Sequence, residues 1–455
     1  MRKPLAACLA VPVAAGCVLA AAAGCASTAD ASGPGARLSS SSVSGPQARL
    51  RLPRPTGRYR VGTVSLHLID RSRANPWAGS LPKGSPPYRE LMVSVWYPAR
   101  DAGRYPLAPQ MLPGAAARYG SPSGWGWQGY HVPPGKVDWA ATLTAGHVGA
   151  PVADVLGRVA GADRPGGRRL PVVLYSPGAG EPRTFETTLV QDLASRGYMV
   201  VTVDHTYDAD EVEFPGGRVI DGELLTWLQA AQRNGTLFAT AKKIAAVRVA
   251  DTRFVLDELA ALDSGRNPDA GHRPLPRGLA GSLDLGRVGM FGVSAGGFTA
   301  AQAMYEDPRI KAGIDMDGNT ESPMIPDSSH LLPVFDHGLN EPFMFMGDPN
   351  TDHNKTPSLN SFWARTRGWH ADLTLNGAKG ENSYKDAVPL VPQIARQLGL
   401  PRSFVTGDIG TIEPARTVVA EEAYVSAFFD RWLRGRDNHL LDGPSPRYPE
   451  FTFIR

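Results

Sequence analysis

Short apolar runs punctuate the chain at 92–97 (MVSVWY), 171–175 (PVVLY), 199–203 (MVVTV), 287–292 (RVGMFG), 311–316 (KAGIDM) and 342–346 (PFMFM), with a half-polar one at 371–376 (ADLTLN). Between them, apolar positions recur at helical spacing over 187–196, 248–262 and 296–305. Continuously apolar strands that alternate with helices predict an α/β fold, a mostly parallel sheet covered on both faces. The segment 59–69 alternates polar and apolar residues. It is expected to pair with 92–97 as an antiparallel N-terminal edge hairpin. Residues 420–433 form an amphipathic helical pattern that should dock on the sheet. Two regions break the alternation. Residues 101–168 are rich in Gly, Pro and Trp (Trp125, Trp127, Trp139), and 206–247 read as amphipathic helix. Both are expected to be insertions that supply a lid or a wall.

Composition narrows the chemistry. The chain has 455 residues, a net charge of +3 and three cysteines, Cys8, Cys17 and Cys25, all at the N-terminus. The rest of the chain therefore offers no disulfide framework, no cysteine metal site and no thiol nucleophile. Near-neutral charge without a basic stripe gives no case for nucleic acid. The histidines are scattered without ligand spacing, so neither a metal nor another cofactor is expected. Arg2 and Lys3 followed by an Ala/Val/Leu stretch read as a secretory signal over 1–24. The small residues before Cys25 resemble a lipobox, which predicts lipidation at Cys25, export and a membrane anchor. Residues 25–49 suit a flexible Ser/Gly/Ala tether, and 50–455 a single α/β domain that carries the two insertions.

The chemistry-bearing motif is Gly292-Val293-Ser294-Ala295-Gly296, a G-x-S-x-G. An apolar strand enters it and a helix of small residues leaves it, as a nucleophile elbow requires. Ser294 is the predicted nucleophile. The Gly-rich loop Ser176-Pro177-Gly178-Ala179-Gly180 after the strand PVVLY exposes backbone N–H groups. Those of Ala179 and Ala295 are the expected oxyanion hole.

These segments, with VGT at 61–63, RELMVSVWYPA at 89–99, DLASRG at 192–197, VDH at 203–205, AGIDMD at 312–317 and the C-terminal AFFDRWLRG, resemble the platelet-activating-factor acetylhydrolase-like branch of the α/β-hydrolases. The resemblance implies the α/β-hydrolase fold and hydrolysis of short or oxidised phospholipid acyl esters or similar lipid esters. It also implies a catalytic acid after the strand that follows the nucleophile helix. That position is Asp317. Asp348, after the next strand, is the alternative. The family carries its His in a loop of pattern G-x-x-H-x-S-F-x-D. Here residues 377–386 read GAKGENSYKD; Ser383, Tyr384 and Asp386 match, but Gly380 or Glu381 fills the histidine slot. His353, at the C-terminal edge of the sheet, is the first surrogate base, followed by His205 and then Glu381. A carboxylate there would face Asp317 as a repelling pair. The expectation is an exported serine ester hydrolase. The competing expectation, motivated by the absent histidine, is an impaired hydrolase fold that binds lipid or a cell-envelope partner.

Overall fold

The computed structural model describes residues 47–154, 169–322, 325 and 327–455. The signal segment, Cys25 and nearly all of the 25–49 tether lie outside the described residues. In chain order the strands are β1 (Arg60–Ala74), β2 (Tyr88–Ala99), β3 (Leu107–Pro109), β4 (Leu143–Val148), β5 (Leu170–Ser176), β6 (Met199–Asp204), β7 (Glu211–Phe214), β8 (Arg218–Asp221), β9 (Leu283–Val293), β10 (Ile310–Met316), β11 (Phe343–Gly347), β12 (His370–Leu375) and β13 (Phe451–Phe453). The helices are α1 (Pro113–Tyr119), α2 (Trp125–Gln128), α3 (Thr187–Ser195), α4 (Leu224–Arg233), α5 (Leu237–Asp263), α6 (Ala295–Glu306), α7 (Pro333–His337), α8 (Pro357–Arg365), α9 (Ala387–Leu398), α10 (Arg402–Ile409) and α11 (Pro414–Arg434).

The main sheet has the order β13-β12-β11-β10-β9-β5-β6-β2-β1-β4-β3. From β6 to β12 its strands are parallel. Side-chain alternation explains why these strands read as continuous apolar runs. Val172 and Leu174 of β5 face one core, with α5, α6, α7 and α8. Val173 and Tyr175 face the other, with α3 and α11. Phe343 and Phe345 of β11 alternate with Met344 and Met346 in the same way. At Gly289 the helix α11 comes so close that a Cβ would lie 2.6 Å from the Phe429 ring, so only glycine fits.

The β1–β2 pair is antiparallel, from Arg60↔Ala99 to Asp70↔Arg89, as expected. It is not at the edge of the sheet. The 101–168 insertion adds β4, which runs parallel to β1, and β3 beyond it. Both strands are short and mixed in polarity, and their pairing is set by a distant partner rather than by local pattern. The 206–247 segment likewise opens as a two-stranded hairpin, β7–β8, before α4 and the start of α5. The fold also begins slightly earlier than expected, since Ala48 is buried and bridges to Val137. From β5 the chain winds outward to β6 and then returns to β9 on the other side of β5. Ligands of open α/β sheets bind at such a reversal, outside the carboxyl ends of the strands.

Candidate active site

Ser294 stands between β9 and α6 with φ 53° and ψ −119°. This is a strained conformation for a residue with a side chain, and it lifts the hydroxyl above the sheet. Close packing enforces both flanking glycines. A Cβ on Gly292 would collide with the Gly296 backbone, and a Cβ on Gly296 with the Ser176 carbonyl. The Ser294 N–H donates to Met316 O at 2.8 Å, which ties the elbow to the end of β10. Ala295 opens α6, where first-turn amides have no intrahelical acceptor.

The loop after β5 lies against the nucleophile: a Cβ on Gly178 would be 3.6 Å from Ser294 Cβ. Its amides can be accounted for in turn. Pro177 has none. Gly178 N–H donates to Glu181 Oε2 at 3.2 Å, and Gly180 N–H to Asp208 Oδ1 at 3.1 Å. That leaves Ala179 N–H for an oxyanion.

The Glu381 carboxyl lies close enough to the Ser294 hydroxyl for that hydroxyl to help hold its pKa down. Glu381 opens a short 3₁₀ turn, Glu381–Tyr384, after Gly380 at φ 64°. Lys385 closes that turn. Its ammonium is buried and contacts Glu381 Oε1 at 2.9 Å, Glu181 Oε1 at 2.5 Å and Asn382 Oδ1 at 3.3 Å, one acceptor for each proton. Burial opposes the Lys385 charge, but the two carboxylates outweigh it and hold the ammonium well above its ordinary value. Burial likewise works to raise the Glu381 carboxyl. The Lys385 charge and the Ser294 hydroxyl overcome it and keep Glu381 below its ordinary 4.5.

Asp317 follows β10 at φ 54°. Its Oδ1 accepts the Asp348 N–H at 3.1 Å. Burial, reinforced by the Asp348 and Glu381 charges, pushes it up to about 7. Asp348 in turn accepts the Gly380 N–H at 3.0 Å, one residue before Glu381. Both acids considered from the sequence thus reach the site. Asp317 faces a carboxylate rather than an imidazole, and Asp348 holds the loop that carries Glu381.

The surrogate histidines are engaged elsewhere, and of the three expected bases Glu381 is the one placed beside Ser294. His353 donates its backbone N–H to Asp372 Oδ2 at 2.8 Å, its Nδ1 lies at the same distance from that oxygen, and its ring stacks on Trp363 at 3.8 Å. Asp372 alternates with Ala371 and Leu373, which face the α3/α11 core, so it points to the opposite layer and draws His353 beneath the sheet. His205 lies between Ser176 Oγ and Asp251 Oδ2, each at 3.0 Å. Burial pushes its pKa down, although Asp251 favours the charged form.

Both insertions wall the site. Trp125 of α2 lies 3.5 Å from where a Gly180 Cβ would stand, and Trp125 N–H donates to Asp210 Oδ2 at 2.9 Å. Ala179 packs against Leu224, Leu228, Leu237 and Ile325. Glu181, Lys385 and the supports of the Gly-rich loop went unread in the sequence. The one local signal was Lys385 in GAKGENSYKD, because Glu181 is 204 positions away.

Known proteins similar to this chain are ester hydrolases. The family described as "Platelet-activating factor acetylhydrolase, isoform II" matches residues 138–331. A protein of Arthroderma benhamiae named "Probable 1-alkyl-2-acetylglycerophosphocholine esterase" is 27% identical over 421 residues, 89% of this chain and 93% of that one. The platelet-activating factor acetylhydrolase of Bos taurus is 28% identical over 164 residues, 33% of this chain and 35% of that one. Among solved structures, a ferulic acid esterase from Streptomyces cinnamoneus is 33% identical with a TM-score of 0.65, covering 89% of this chain and 99% of that one. The chain therefore belongs to the platelet-activating-factor acetylhydrolase-like family of α/β-hydrolases and is a carboxylic ester hydrolase.

Proposed function

We propose that this hydrolase cleaves short-chain or oxidised acyl esters of phospholipids, or similar lipid esters, through an acyl-enzyme on Ser294, with Glu381 as the general base. What supports the reading is the placing of the Glu381 carboxylate beside the Ser294 hydroxyl, next to the Ala179 amide that the loop leaves available. Ser294 Oγ attacks the ester carbonyl as Glu381 takes its proton. The Ala179 and Ala295 N–H groups receive the charge on the carbonyl oxygen. The tetrahedral adduct collapses, and the alcohol leaves with the proton from Glu381. Water, deprotonated by the same carboxylate, releases the acid and restores Ser294. Lys385 keeps Glu381 ionised and ready to accept a proton, at the cost of lower basicity. The apolar side chains around Ala179 and the Trp125 ring suit an acyl group.

The N-terminal pattern supports export, and Cys25 supports a lipid anchor that would hold the enzyme at a membrane where such esters reside. The full chain should hydrolyse p-nitrophenyl acetate and react with a fluorophosphonate probe, and Ser294→Ala should do neither. Acetyl and oxidised phospholipids assayed beside ethyl ferulate decide the acyl class; a preference for ferulate would refute the lipid assignment. No turnover and no labelling of the wild type would instead favour the impaired, ligand-binding hydrolase fold.

A further inference from the structure

The oxyanion loop is glycine-rich, and a glycine-rich loop does not hold its own peptide planes. Arg248, in the middle of α5, is buried to 1% exposure and reaches the underside of this loop. Its Nη1 donates to Pro177 O at 2.8 Å and its Nη2 to Gly178 O at 3.0 Å. These carbonyls belong to consecutive peptide units. In a trans peptide the carbonyl of one residue and the N–H of the next point in opposite directions. The carbonyl of Gly178 and the N–H of Ala179 share one such plane, so holding the first toward Arg248 aims the second away from it. The preceding plane obeys the same rule. Pro177 O points to Arg248, while Gly178 N–H is taken by Glu181 Oε2 at 3.2 Å.

Asp208 completes the clamp. Its Oδ2 accepts Arg248 Nε at 2.8 Å and its Oδ1 accepts Nη2 at 2.5 Å, which fixes the plane of the guanidinium. The same Oδ1 accepts Gly180 N–H at 3.1 Å, and Gly180 O accepts Asp210 N–H at 2.8 Å. Every polar backbone group of residues 177, 178 and 180 that this scaffold reaches is directed away from the oxyanion position. Only a flat fork of donors spans two carbonyls and a carboxylate together; an ammonium is a point charge on a flexible stem.

We propose that Arg248, braced by Asp208, is a positioning residue for the reaction: it orients the Ala179 N–H toward the developing oxyanion and polarises that peptide from behind. This role rests on the proposed use of Ala179 as an oxyanion donor. It leaves the choice of base and the identity of the ester untouched. Loss of one well-placed oxyanion donor lowers kcat by roughly 10²–10³.

The test uses the full chain with Arg248→Gln and Arg248→Lys. The lysine variant keeps a positive charge beside buried Asp208, which protects the fold. For both we expect kcat and the rate of fluorophosphonate labelling to fall together, by about 100-fold in Arg248→Gln and by less in Arg248→Lys, with KM within about threefold of wild type. Crystal structures of the variants should show the 178–179 peptide rotated. A variant whose kcat and labelling rate stay within threefold of wild type, or whose 178–179 peptide is unmoved, overturns the proposal. The loop geometry is read without turnover, so a wild type that hydrolyses no ester would refute the proposed function and leave this test standing.

Discussion

Replacing Glu381 by Gln preserves the shape of the side chain and removes its capacity to take a proton. The surroundings tolerate the change. Lys385 retains Glu181 at 2.5 Å and Asn382 at 3.3 Å, so no buried charge is left without a partner. The amide still lies beside the Ser294 hydroxyl, which keeps the nucleophile in place. What disappears is general-base assistance, worth roughly 10²–10⁴ in rate. Glu381 belongs at the lower end of that range, because Lys385 at 2.9 Å depresses its basicity. The expected loss is about 100-fold in kcat, about 2.7 kcal/mol of transition-state stabilisation, with KM changed by less than about threefold. The assay is steady-state hydrolysis of p-nitrophenyl acetate, with thermal unfolding as a control for the fold. A Glu381→Gln enzyme that keeps more than a third of the wild-type kcat would refute the assignment of the base.

Glu381→His should give the enzyme an acid limb in kcat/KM near the imidazole value of about 6.5, and should make activity depend on Asp317, now facing a ring it can orient. Asp317→Asn should then cost at least tenfold more in the Glu381→His background than in the wild type, read as a double-mutant cycle; equal losses would contradict the arrangement. Stability should fall as pH rises from about 5.5 to 8.5. Burial holds Asp317 and Asp386 up to about 7 and Glu421 up to about 8, so the folded state keeps protons that the unfolded state has already lost. Each group at 7 forfeits roughly 2 kcal/mol over that window, and a melting temperature flat or rising with pH would exclude the scheme. Trp125→Ala should raise KM several-fold for bulky acyl esters while leaving kcat for acetate nearly unchanged; an unaltered acyl preference would remove Trp125 from the pocket wall.

Much of the scaffold was legible because burial on two faces writes strands as continuous apolar runs, as in β5, β6 and β11. The elbow was legible because close packing demands glycine on both sides of Ser294. The strands β3 and β4 were not, since Leu107 and Leu143 are exposed, and β4 takes its pairing from distant β1 while β3 takes its own from β4. The place of His353 was hidden for a similar reason. His353 follows a strand at the proper edge, but the single alternation that turns Asp372 to the other face takes His353 with it. The Glu381–Lys385–Glu181 chain joins residues far apart in sequence, and only the fold discloses that Lys385 lies between two carboxylates.

The central claim is that Ser294 carries the acyl group and that a carboxylate puts it there. The most direct measurement is rapid acid quench of the enzyme during turnover of p-nitrophenyl acetate, followed by peptide mass mapping, in the wild type and in Glu381→Gln. The account predicts an acetyl group on the peptide at Ser294 that forms about 100-fold more slowly in the variant. Acetylation at another residue such as Ser176, or equal rates of formation in the two proteins, would contradict it.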